Sequence, residues 1–119
     1  MVIAQWIEDR TGHRPRLPKI RNEHPHTDRS GGGRYIPHQQ TIILGHTTEP
    51  ELRKATLLHE LAHWASYALR DDDYFGQHDE GFYEVLEQIH KHFQTPREIA
   101  IRVENGCTGE YQCPAHWLA

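Results

Sequence analysis

From Glu51 to Leu69 the chain runs without an internal glycine or proline, and its apolar residues keep helical time. Leu52, Ala55, Leu58, Leu61, Ala62, Ala65, Ala68 and Leu69 recur at the spacing of an α-helix that is apolar on most of its sides. Such a helix must be buried, so the rest of a chain of 119 residues has to wrap around it. Its start is marked by Thr47-Thr48-Glu49-Pro50-Glu51, a hydroxyl cap followed by acidic residues and an early proline. Asp71-Asp72-Asp73 marks its end. The spacing therefore predicts a central helix over Pro50 to Leu69.

The other elements follow from the same reasoning. Val2, Ile3, Trp6 and Ile7 predict a short amphipathic helix closed by Gly12. Prolines at 15, 18 and 25 and the Ser30-Gly31-Gly32-Gly33 run break up the next segment, leaving room for one short strand around Leu17 to Ile20. Thr41 to Leu44 reads as a strand paired with Arg34 to Ile36, and the compact part is expected to begin near Arg34. A second helix is expected from Asp79 to Phe93, ended before Thr95-Pro96, and a third over Pro96 to Glu104. The length suits a single domain: a partly irregular basic segment to residue 33, a core over 34–104 and a tail over 105–119.

His59-Glu60-Leu61-Ala62-His63 lies inside the central helix. Residues i and i+4 share a helix face, so two imidazoles can approach one tetrahedral cation from a rigid support. Glu60 lies about 100° round the helix, within reach of a cation-bound water without being a ligand. With this many histidines and glutamates, chance alone would place the pattern in roughly one shuffled sequence in ten. Its position in a buried helix carries the argument, because unpaired polar burial is costly.

A catalytic zinc has three protein ligands and an open position. The candidates for the third ligand are His78, Glu80, Glu84 and His90. Phe82, Val85, Leu86, Ile89 and Phe93 define the inward stripe of the second helix, and His78 falls within about 40° of its centre, with a glutamate as runner-up. Glu80 and Glu84 face solvent on this reckoning, and His90 and His92 read as surface residues. Glu60 would act as general base towards water on Zn2+, and Tyr35, Tyr67, His38 or a tyrosine beyond the second helix could serve as second electrophile.

Cys107, Cys113 and His116 match no standard zinc spacing and read as free thiols and a separate histidine. Trp64 and Trp117 read as packing residues, and His24 and His26 as exposed loop residues. Two cysteines make no disulfide framework, no apolar run reaches the roughly 20 residues of a membrane span, and no secretory leader is evident, so a cytoplasmic protein is expected. The net charge of -4 conceals a basic arm, with seven Arg or Lys residues from Arg10 to Arg34 against Glu23 and Asp28. That arm could meet a nucleic acid, but no aromatic residue interrupts it to stack on bases. The expected partner is a protein or peptide substrate.

Gly33-Arg34-Tyr35, Thr41-Ile42-Ile43-Leu44, Leu57-Leu58-His59-Glu60-Leu61-Ala62-His63-Trp64 and His78-Asp79-Glu80-Gly81-Phe82 resemble small zincin domains of the SprT-like and WLM type. Related antirestriction-type metallopeptidases occur in phages and plasmids. The family's last element reads His-Gly-x-x-Phe; His78 and Phe82 match, and Asp79 replaces the glycine. The resemblance implies a minimal, gluzincin-like α+β domain, with a small antiparallel or mixed sheet packed on the HExxH helix and a second helix. It implies metal ligands at His59, His63 and His78, with peptide hydrolysis assisted by Glu60. It also implies an extended peptide lying beside the strand at the cleft, and roles in clearing DNA-bound proteins or in mobile-element conflict. The alternative is a zinc-containing binding or regulatory module without catalysis.

Overall fold

The computed structural model describes residues 2–22, 33–45, 49–70 and 73–106. It is an α+β structure in which four helices pack against a three-stranded mixed sheet. The elements run α1 (Val2–Thr11), β1 (Lys19–Asn22), β2 (Gly33–Ile36), β3 (Thr41–Leu44), α2 (Pro50–Arg70), α3 (Glu80–Phe93) and α4 (Arg97–Gly106). The hydroxyl cap expected at Thr47-Thr48 and the stop at Asp71-Asp72 lie outside the described residues. No helix among the described residues is long and apolar enough to cross a membrane.

α2 is the hub that its composition demands, in contact with α1, α3, α4, β2 and β3. Leu58, Leu61, Ala62, Trp64 and Ala65 are buried along it, and they meet Ile42 and Leu44 from β3, Phe82, Leu86 and Ile89 from α3, and Ala100 from α4 in one apolar cluster. At roughly 25 cal/mol per Å² of apolar surface removed from water, each fully buried large side chain contributes about 1.5–3 kcal/mol before entropy is charged against it.

The sheet order is β1-β3-β2, so the most apolar strand lies in the middle. β3 pairs antiparallel with β2, Tyr35 opposite Ile42, and parallel with β1, Ile20 opposite Ile42. Between β2 and β3, Pro37–Gln39 make a single 3-10 turn that ends on Gln40 in the left-handed region. The strand expected around Leu17 to Ile20 is displaced towards the C-terminus, because hydrogen bonding to β3 fixes its ends rather than its own apolar residues.

Two further expectations are corrected. The compact part does not begin at Arg34: Ile3, Ala4 and Ile7 of α1 belong to the core cluster, and Trp64 Nε1 donates to the Arg16 carbonyl at 3.0 Å. The chain around Pro15 thus touches the hub. His90 is not a surface residue either but is 7% exposed, on the inner side of α3 where the chain turns back into α4. Burial pushes its pKa down to about 4, so it is held neutral.

α3 begins at Glu80, with Asp79 as its N-cap and the Asp79 Oδ1 accepting from the Phe82 amide at 2.9 Å. The backbone at Asp79, φ -91° and ψ -176°, is extended and open to any residue. A glycine is not required there, so Asp79 fits and caps the helix.

Candidate metal centre

α2 carries His59 and His63 one turn apart, and the segment between α2 and α3 brings His78 to the same point. Each offers a ring nitrogen, and the three nitrogens lie within 4.8 Å of one another. The ring centres form a nearly equilateral triangle with sides of 5.0, 4.9 and 5.0 Å, and His63 Nε2 is 3.1 Å from His78 Nε2. With metal–nitrogen bonds of about 2.0–2.1 Å, a tetrahedral zinc would set two imidazole nitrogens about 3.3 Å apart and their ring centres about 5 Å apart. The donor set therefore fits a tetrahedral cation. Among the described residues no fourth His, Cys, Asp or Glu joins the group.

Phe82 forms the apolar floor of the triangle. Its ring centre lies 5.1, 4.5 and 4.8 Å from those of His59, His63 and His78, and the side chain is fully buried. His59 is 2% and His63 9% exposed, whereas His78 is half-buried, so one side of the cluster faces outward.

Two of the three histidines have outer partners on their far nitrogens. His59 Nδ1 is 2.6 Å from Glu104 Oε2, and His63 Nδ1 is 2.5 Å from Tyr74 Oη. Both arrangements turn Nε2 inward, as metal-binding histidines require. Burial drives the His63 pKa down to about 3, and the neighbouring His59 and His78 push the same way, so its lone pair is free of a proton at neutral pH. Burial, then the His59 charge, lowers His78 as well. For His59, burial also acts downward, but the hydrogen bond and charge of Glu104, with the charge of Glu60, outweigh it and raise the pKa. A more basic imidazole is a stronger donor to a cation.

Glu60 stands beside the group without joining it, its Oε1 3.9 Å from His59 Nε2. The carboxyl is 5% exposed and its pKa rises to about 7, chiefly through burial; His59 opposes the shift and Glu104 adds to it. A nearby dication would draw it down again. β2 closes in on Glu60 from the sheet side: a Cβ at Gly33 would sit 3.1 Å from the Ile43 carbonyl oxygen and Thr56 Cγ2 and 3.4 Å from Glu60 Cγ, tight contacts that glycine avoids.

The other candidates separate cleanly. Glu80 and Glu84 are exposed, as expected, and His90 does not join the cluster. His38 is exposed beside Gln39. Tyr35 and Tyr67 have ring centres 5.7 Å apart, and Tyr67 packs on Tyr74 at 4.7 Å, so they form an aromatic row that ends at His63. Cys107, Cys113, His116, Trp117, His24, His26 and the tyrosine beyond the second helix lie outside the described residues.

Sequence reasoning missed Glu104 and Tyr74. Glu104 has a legible trace, since it shares the inward face of α4 with Ala100 and Val103, an odd place for an acid. Tyr74 has none. Glu104 is fully buried, with Oε2 on His59 and Oε1 without a hydrogen-bond partner among the described residues. We expect Glu104→Gln to weaken zinc affinity about 10–100-fold while leaving the fold intact. Competition against a chromophoric chelator measures this, and an unchanged affinity would show that the carboxylate does not support the site.

Comparison with known protein families, with curated proteins and with solved structures finds no match to this chain.

Proposed function

We propose that this protein is a zinc-dependent metallopeptidase of the small SprT-like type, in which His59, His63 and His78 hold the cation and Glu60 is the general base. The observation that carries the reading is the imidazole triangle, with Nε2–Nε2 and centre-to-centre spacings of the size a tetrahedral ion requires, next to a buried carboxylic acid. A bound zinc supplies a Lewis acid for a carbonyl oxygen and acidifies its solvent ligand. Glu60 takes the proton of the attacking water and returns it to the leaving amine, a role that suits a carboxylate beside the imidazole triangle but outside it. Phe82 keeps water from beneath the site, and β2, which is at the edge of the described sheet and against Glu60, is placed to receive an extended peptide.

The test is elemental analysis of purified protein combined with hydrolysis of an unfolded protein substrate. We expect about one zinc per chain, loss of hydrolysis on chelation and recovery with added zinc. A chain that binds zinc but cleaves nothing would instead be the regulatory module derived from such an enzyme, and a chain that binds none would end the metal reading.

A further inference from the structure

His78 differs from the other two ligands in how it is held. His59 leans on Glu104 and His63 on Tyr74, but among the described residues no hydrogen bond reaches His78 Nδ1. Its ring stacks on Phe82, and its place otherwise depends on where the backbone delivers it.

That delivery converges on one guanidinium. Arg70, the last residue of α2, donates from Nη1 and Nη2 to the two carboxylate oxygens of Asp79 at 2.7 and 2.8 Å. Asp79 is bonded covalently to His78, and its Oδ1 also caps the Phe82 amide. The guanidinium carbon of Arg70 lies 5.1 Å from the centre of the Tyr74 ring, and it is Tyr74 that meets His63. Gly81 makes room for the fork, since a Cβ there would be 2.9 Å from Arg70 Nη1. With side chains 28% and 35% exposed, the ion pair is screened by solvent and adds little to stability. A planar, two-pronged bond fixes direction far better than it adds energy.

Resting on the metal-site reading above, we propose that Arg70 is a positioning residue for the metal centre, seating His78 through Asp79 and Tyr74 through its ring. Arg70 touches neither cation nor substrate. It ties the end of α2 to the residue that caps α3, so that the third imidazole meets the two carried by the helix.

The test loads the full chain with zinc and, separately, with Co2+, whose visible absorption reports coordination number. Arg70→Gln is expected to lower zinc affinity about 10-fold or more and to weaken the tetrahedral cobalt bands. Arg70→Lys, which keeps the charge and loses the fork, is expected to fall between. Gly81→Ala separates placement from stability: alanine favours the helix while its methyl crowds the fork, so metal-free Tm should hold as zinc affinity drops. Wild-type affinity and spectrum in both Arg70→Gln and Gly81→Ala would overturn the proposal and leave the metal site standing. A wild-type chain that binds neither ion would overturn the site itself, and this inference with it.

Discussion

Glu60→Gln is expected to retain zinc at the wild-type level and to lose hydrolysis by about 10²–10⁴-fold, the usual range for a positioned general base. The amide keeps the shape of the acid in a pocket where only 5% of the residue is exposed, so neither the fold nor the imidazole triangle should change. What disappears is the ability to take a proton. Because Glu60 stands outside the three-nitrogen group, zinc content and turnover should separate in this variant. Hydrolysis that persists with zinc bound would remove Glu60 from its assigned role; loss of zinc together with activity would make it a ligand instead of a base.

The second large effect is on metal retention and stability together. A ligand that binds only the folded chain stabilises it by about 4 kcal/mol at a thousand times its Kd, worth about 15 °C in Tm for a chain of this size. Wild-type protein should show that shift between zinc-loaded and chelated samples, and His59→Ala should show none. His59→Ala should also destabilise the metal-free chain by about 3 kcal/mol, because Glu104 would be left fully buried with neither oxygen bonded. His78→Ala bears more directly on the metal effect, since His78 is half-buried and, unlike His59, leaves no buried carboxylate without its partner. Thermal melts with and without chelator, read beside elemental analysis, settle both expectations. A zinc-dependent Tm shift preserved in His59→Ala would exclude that residue from the site.

Much of this arrangement could be read before any coordinates. α2 was legible because its apolar residues keep a helical period over five turns with nothing to interrupt them. The pairing of β2 with β3 was legible because Thr41 to Leu44 is dense in β-branched residues. The direction of His78 followed from counting backwards along the stripe of α3, whose start was misjudged by one residue. What stayed hidden depends on tertiary contact. α1 looks like a short arm ahead of proline-rich loop, and only its packing on α2 shows Ile3 and Ile7 to be core. His90 looks polar, and nothing local announces that the turn into α4 encloses it. Glu104 lies 45 residues beyond His59, a separation that no periodicity spans.

α2 runs unbroken from Pro50 to Arg70, and that continuity governs where the centre can come apart. Two of its imidazoles ride on a single rod with no hinge, so separating them means unwinding hydrogen-bonded turns at the heart of the molecule. The third arrives from beyond the end of that rod. Release of the ion is thereby expected to begin at His78, whose ring rests on Phe82 and whose neighbour Asp79 is tied to the end of that rod.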